Sequence, residues 1–218
     1  MDAVVLDLPL AGPCLVQNSP ARRVPSHGTT LMGSSHAIDL VPVDAAGHSA
    51  PRGRRSLFGT ELPDQFPGFG VPVLAPAAGR VVAALDGLPD QVARRSPFAQ
   101  LPFVLGQSQR IRGGVSAMAG NHVIIELPGA RAFVALAHLR RGSVDVRVGE
   151  TIQLGARIGA CGNSGNSTEP HVHLQVMDAV NPGLAQGVPF VFRAFRVRGM
   201  AYTSAVPAEG AIVEPPLD

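Results

Sequence analysis

The chain has 218 residues, 18 of them basic and 16 acidic, a formal net charge of +2, and 45% hydrophobic against 16% charged residues. That length and composition fit one domain with a sizeable core and exclude wholesale disorder, and so small a charge gives no electrostatic reason to expect a nucleic-acid partner or an anionic membrane. Every basic residue is Arg, which excludes Schiff-base, phosphate-loop and carrier chemistry built on lysine, while 25 Gly and 20 Pro forecast many turns and short strands.

Residues 1–26 read as an irregular N-terminal arm with short extended pieces. Its apolar run is broken by Asp2, Asp7 and Pro9, so no signal peptide is expected, and no 18-residue apolar stretch forecasts a membrane segment. HAIDLVPV (36–43) alternates as a strand does, and 44–70 is a breaker-rich loop insertion. Residues 71–85 predict two short strands around a Gly turn. Residues 86–120 form a second insertion, irregular with room for some helix. NHVIIEL (121–127) and AFVALAHL (132–139) predict a hairpin, and further strands are expected within 143–152, 156–162, 171–178 and 189–199. Residues 200–218 read as a loosely held tail. The expectation is a single all-β domain, 1–218, with a small antiparallel sheet or barrel-like core and long loop insertions. Cys14 and Cys161 match no CxxC pattern and read as small buried apolar side chains.

The densest chemistry lies in GNSGNSTEPHVHLQV (162–176). His171 and His173 stand two apart in a strand pattern, on one face and about 6.7 Å from each other by strand rise, so both can line one pocket. An isolated HxH pair is as readily a solvent-facing one. His138 closes the apolar run AFVALAHL, where a lone His is usually a satisfied core residue. Asp39 in AIDLV is costly to bury unless it is paired or ligates a metal, its bland alternative being a turn cap at an edge. His and Asp together are a ligand set for a borderline metal, and three such ligands with an open position describe a catalytic zinc site. His48 and His122 default to exposed positions, Arg52, Arg54 and Arg55 to a solvated loop, and Arg140 and Arg141 to the surface.

The blocks VPVLAPAAGRVV, GNHVIIEL, VALAHL and VRVGETIQLGARIGACGNSGNSTEPHVHLQV, with HAIDLV upstream, resemble in order and spacing the lysostaphin-type (LytM-like) zinc metallopeptidases. The resemblance covers most of residues 70–177. It implies the LytM-like β fold, a duplicated hybrid motif. It also implies a zinc (Zn2+) cofactor with Asp39 and His173 among its ligands, His138 and His171 as the catalytic pair, and hydrolysis of peptidoglycan peptide bonds by a metal-activated water. The family's first ligand is usually a His four residues before the Asp, in H-x-G-x-D. Here Ser35 holds that place and Ala37 replaces the Gly. Two substitutes remain. His36 is three residues before Asp39, and i and i+3 face opposite sides of a regular strand. His27, in the loop VPSHGT, could fold back over the strand. Parity favours His27 as the third metal ligand.

The leading expectation is therefore a zinc endopeptidase acting on peptidoglycan peptide or a Gly-rich peptide. The alternative is a catalytically silent LytM-like binding or regulatory module, motivated by Ser35 and by the absent leader. A biotinyl- or lipoyl-type carrier, suggested by the strand-turn pattern of VRVGETIQLGARIGACG, lacks the lysine it needs. A wall hydrolase belongs in the cell envelope or outside the cell, whereas the N-terminus reads as cytoplasmic. Scissile bond, oligomeric state and export route are left open by the sequence.

Overall fold

The structure is a computed structural model that describes residues 3–50, 59–129 and 131–217. Its strands are β1 (Val4–Leu6), β2 (Cys14–Gln17), β3 (Ile38–Pro42), β4 (Pro72–Leu74), β5 (Gly79–Leu85), β6 (Asn121–Glu126), β7 (Phe133–Leu139), β8 (Thr151–Ile152), β9 (Arg157–Ala160), β10 (Val172–Met177), β11 (Phe190–Val197), β12 (Met200–Ala205) and β13 (Ile212–Glu214). The main sheet runs in the order β1-β11-β13-β2-β3-β10-β7-β6-β5-β8, with β12 paired to β11, and β4 pairs β9 in a second, two-stranded sheet. The expected β class and antiparallel pairing hold, with one parallel pair, β1 with β11. The main sheet is open, ending at β1 and β8, rather than a closed barrel.

Alternation explains which face is which. In β10, Val172, Leu174 and Val176 enter the core, while His173, Gln175 and Met177 face the other way. β6 sends Val123 and Ile125 inward, β3 sends Ile38 and Leu40, and β4 and β9 add Val73 and Ile158 to the same core. The chemistry-bearing row lies on the opposite face. His173 pairs with Asp39 on one side and with Ala137 on the other, so β3, β10 and β7 carry one continuous row.

The structure refines or corrects the sequence expectations at four places. The short extended pieces expected in the N-terminal arm are β1 and β2, and both are built into the main sheet. The residues expected as a loose tail contribute β12 and β13, and β13 sits between β11 and β2. Its three residues are too short for a sequence pattern to separate from loop, and partners on both sides hold it. Within the second insertion lie three short helices, α1 (Pro97–Leu105), α2 (Gln107–Arg112) and α3 (Gly114–Ala119). The stretch 143–152 keeps only β8 as a strand, its first residues following turns instead. Both cysteines are buried and free, and burial pushes the Cys14 thiol up to about 12. Among the described residues no helix is long and apolar enough to cross a membrane. The Arg52, Arg54 and Arg55 cluster lies outside the described residues.

Candidate metal centre and catalytic cleft

Asp39 is 6% exposed at the centre of the site-face row, and three histidines turn their rings toward it. His27 Nε2 lies 3.1 Å from Oδ2, His173 Nδ1 2.9 Å from Oδ1, and His171 Nε2 3.5 Å from Oδ1. Asn18 Nδ2 donates to Oδ2 at 2.7 Å. Burial alone would push the Asp39 carboxyl up. The charges of His27 and His171, with hydrogen bonds from His171 and His173, hold it well below the usual carboxylate range.

His27 arrives by the folded-back loop, not by the strand. The Ser26 amide donates to the Ser35 carbonyl at 2.9 Å, so this loop is paired onto the segment where Ser35 stands in place of the usual ligand. His36 ends a 3-10 helix (Leu31–His36), bonds Ser35 Oγ through Nδ1, and does not line the cleft.

The tautomers are set by their outer partners. His27 Nδ1 lies 3.0 Å from Ser26 Oγ, and that hydroxyl donates to the Ser34 carbonyl at 3.3 Å. His27 Nδ1–H therefore donates to the hydroxyl, and Nε2 is turned toward Asp39. His173 Nε2–H donates to Gln175 Oε1 at 2.9 Å, and the Gln175 amide is itself oriented by donation to the Met32 carbonyl at 2.8 Å. His173 thereby turns Nδ1 to a carboxylate oxygen of Asp39, 2.9 Å away. His27, Asp39 and His173 each offer one ligand atom, all within 4.8 Å of one another, and two imidazoles with one carboxylate are a donor set suited to zinc.

His138 and His171 flank this cluster. Strand parity would send His138 to the core face, since Leu136 is in the core and Ala137 lines the cleft. The register between β6 and β7 slips here: Asn121 pairs with Leu139 but Val123 with Leu136. His138 has φ of +62°, and this bulge turns its ring into the cleft. Its Nδ1–H donates to the Ser164 carbonyl at 2.9 Å, and His171 Nδ1–H donates to the Glu169 carbonyl at 2.8 Å. Both rings thus keep Nε2 for the cleft, with ring centroids 4.7 Å apart. Burial, then the charges of His171 and His173, push His138 well below the ordinary histidine value. For His171 burial acts downward, yet Asp39 outweighs it and raises the pKa.

Two residues of the site were not expected. His122 is 7% exposed rather than a surface residue. Its Nδ1–H donates to the Gly120 carbonyl at 2.8 Å, its ring lines the cleft, and burial lowers its pKa. The ring is buried because α3 and the 162–166 loop close over the start of β6, a tertiary event without a local signal. Gln175 is the next same-face residue in HVHLQ, and that strand position is its local signal. His48 is exposed, as expected, near Asp44. The cleft holds about 440 Å³. α2 and α3 form part of its wall, whereas no described residue of 44–70 lines it.

Residues 108–183 match the model of peptidase family M23, which bears out the resemblance read from the motifs. The match contains His138, His171 and His173, while His27 and Asp39 lie upstream of it. No curated protein matches the chain. Among solved structures, the chain is similar to the catalytic domain of lysostaphin from Staphylococcus simulans, at 19% identity and a TM-score of 0.41, covering 73% of this chain and 80% of that one. It is also similar to the antimicrobial peptidase lysostaphin from the same organism, at 19% identity and a TM-score of 0.40, covering 71% of this chain but 42% of that one. A zinc-containing peptidase from Vibrio cholerae is similar at 16% identity and a TM-score of 0.35, covering 69% and 45%.

Proposed function

We propose that the protein is a zinc-dependent endopeptidase hydrolysing peptide bonds of peptidoglycan. The observation that carries the reading is the convergence of His27 Nε2 and His173 Nδ1 on the two oxygens of buried Asp39, beside two histidines whose Nε2 atoms face the same cleft. His27, Asp39 and His173 would hold the zinc, which supplies a Lewis acid that polarises an amide carbonyl and acidifies water.

The chain's own residues do the rest. His138, kept neutral by burial, offers its Nε2 lone pair as a proton acceptor. The Ser164 carbonyl holds the ring in that tautomer. His171, held at Nδ1 by Glu169, offers Nε2–H to the oxygen that gains charge as the carbonyl is attacked, or to the departing amine. The buried, loop-covered floor limits bulk water around both rings.

Ser35 motivated the silent-module reading. The Ser26–Ser35 backbone pairing supports His27 as the residue that takes over the missing ligand's role, so the catalytic reading is preferred. That reading requires the protein to reach the cell envelope, which fractionation of the producing cells would check. Its direct test is metal analysis of the purified chain with an assay on peptidoglycan. Zinc near one equivalent is expected, with wall peptide cleaved, cleavage lost to a chelator and restored by zinc. Chelator-insensitive turnover, or a protein that takes up no zinc, would sink it.

A further inference from the structure

Beside the row Asp39–His173–Ala137 runs a second row whose members beyond Gln175 the chemistry leaves unused. Gln175 pairs with Ala135, and Ala135 with Ile124. Ala135 and Ala137 are the smallest chiral side chains, so the cleft floor is hollow next to the histidines, with Ile124 at its far end. Met32 of the 3-10 helix lines the cleft, and so do Val115 and Met118 of α3. The helical wall is fixed in place: the Asn166 amide donates to the Met118 carbonyl at 2.9 Å, and Asn166 belongs to the same loop as Ser164, which orients His138. Wall and proton acceptor therefore share one support.

The electrostatics of this hollow are equally selective. Among the described lining residues Asp39 is the sole carboxylate, already engaged by three histidines, and none is an Arg. A charged side chain entering here would lose water without gaining a partner. Glycine would leave the apolar surface unfilled.

Building on the peptidase reading, we infer that this hollow is a side-chain subsite for an uncharged aliphatic residue next to the scissile bond. The substrate class is then a peptide carrying an alanine- to leucine-sized residue at that position, not a polyglycine. Ala135 sets the depth of the subsite and Met118 its polarity.

The test uses the full chain and peptides Gly-Gly-X-Gly-Gly in which X is Gly, Ala, Leu, Asp or Arg. Cleavage beside X by the zinc-loaded protein is read by mass spectrometry, and binding to the metal-free protein by calorimetry. Ala and Leu are expected to exceed Gly, Asp and Arg by about tenfold or more in both. Ala135→Leu should erase the Leu preference. Because a larger residue at this buried site could disturb folding, Met118→Glu on the half-buried helix wall provides an independent arm. It should reduce the Leu preference and raise that for Arg with zinc uptake unchanged. Selective binding of the Leu peptide with no cleavage of any peptide would sink the peptidase reading and leave the subsite standing. Equal handling of Gly, Arg and Leu peptides would overturn the subsite and leave the peptidase reading intact. Neither cleavage nor selective binding would overturn both.

Discussion

His27 and His36 carry the same imidazole, and only geometry separates them. The Ser26 relay leaves His27 Nε2 facing Asp39, whereas His36 Nδ1 is engaged with Ser35 Oγ outside the cleft. His27→Ala is therefore expected to lower zinc affinity by more than the ~10–100-fold typical of losing an outer partner, while His36→Ala leaves it unchanged. Zinc competition with a chromogenic chelator measures both, and the reverse order would reassign the ligand. Gln175 is such an outer partner. It takes the Nε2–H of His173 and so leaves Nδ1 free for a cation. Gln175→Leu should weaken zinc by about 10–100-fold without unfolding the chain, and Gln175→Glu, which keeps an acceptor oxygen, should retain most of the affinity. Unchanged affinity in the Leu variant would show that another group sets the tautomer.

At the scale of elements, the β6–β7 bulge and the 162–166 loop form one device. Gly120, between α3 and β6, has φ of +63°, and a Cβ there would collide with Ser164, so glycine permits the loop to close over the strand. Asn121 then ties three segments together. Its amide nitrogen donates to the Leu88 and Leu139 carbonyls, its side-chain oxygen accepts from the Leu88 amide at 2.9 Å, and its backbone amide donates to Ser164 Oγ. These bonds hold the residue after His138, where the backbone is strained. Asn121→Ala removes the buried side chain that pairs the half-buried Leu88 amide and the Leu88 and Leu139 carbonyls, and should cost about 1–2 kcal/mol of stability. It should also lower kcat more than it lowers zinc affinity, because it loosens His138 and not the ligands. Denaturant melts with parallel zinc titration would separate the two effects, and loss of zinc as the dominant change would refute the assignment.

For the molecule as a whole, β13 joins the chain's two ends. It pairs with β11 through Arg196 and Val197 and with β2 through Cys14 and Leu15, burying Val213 completely. Ser19 strengthens the joint, donating from Oγ to the Pro207 carbonyl at 2.6 Å and from its amide to Glu209. Since β2 pairs next with β3, the strand that holds Asp39, the tail braces the site from a distance. Deleting residues 206–218 should remove about 3 kcal/mol or more and lower Tm by about 6–12 °C, as seen by calorimetry. An unchanged melting temperature would show that β2 and β11 hold without it.

Residue order alone determined the β class, the strand positions of β3, β6, β7 and β10, and the shared face of His171 and His173, because period-2 alternation is a local property of the chain. It also narrowed the choice of upstream histidine, since parity turns His36 away from Asp39 in any regular strand. His138 shows the limit of that reasoning: the same parity rule directs it to the core, and the left-handed backbone in the bulge reverses it. Burial of His122, the role of Gln175 as acceptor, the helical wall of the cleft and the pairing of the tail were decided by tertiary structure. Each depends on groups distant in sequence, as Gln175 does on Met32, 143 positions away. Local periodicity encodes which face a side chain takes, but which partner waits there is settled only when the strands pair.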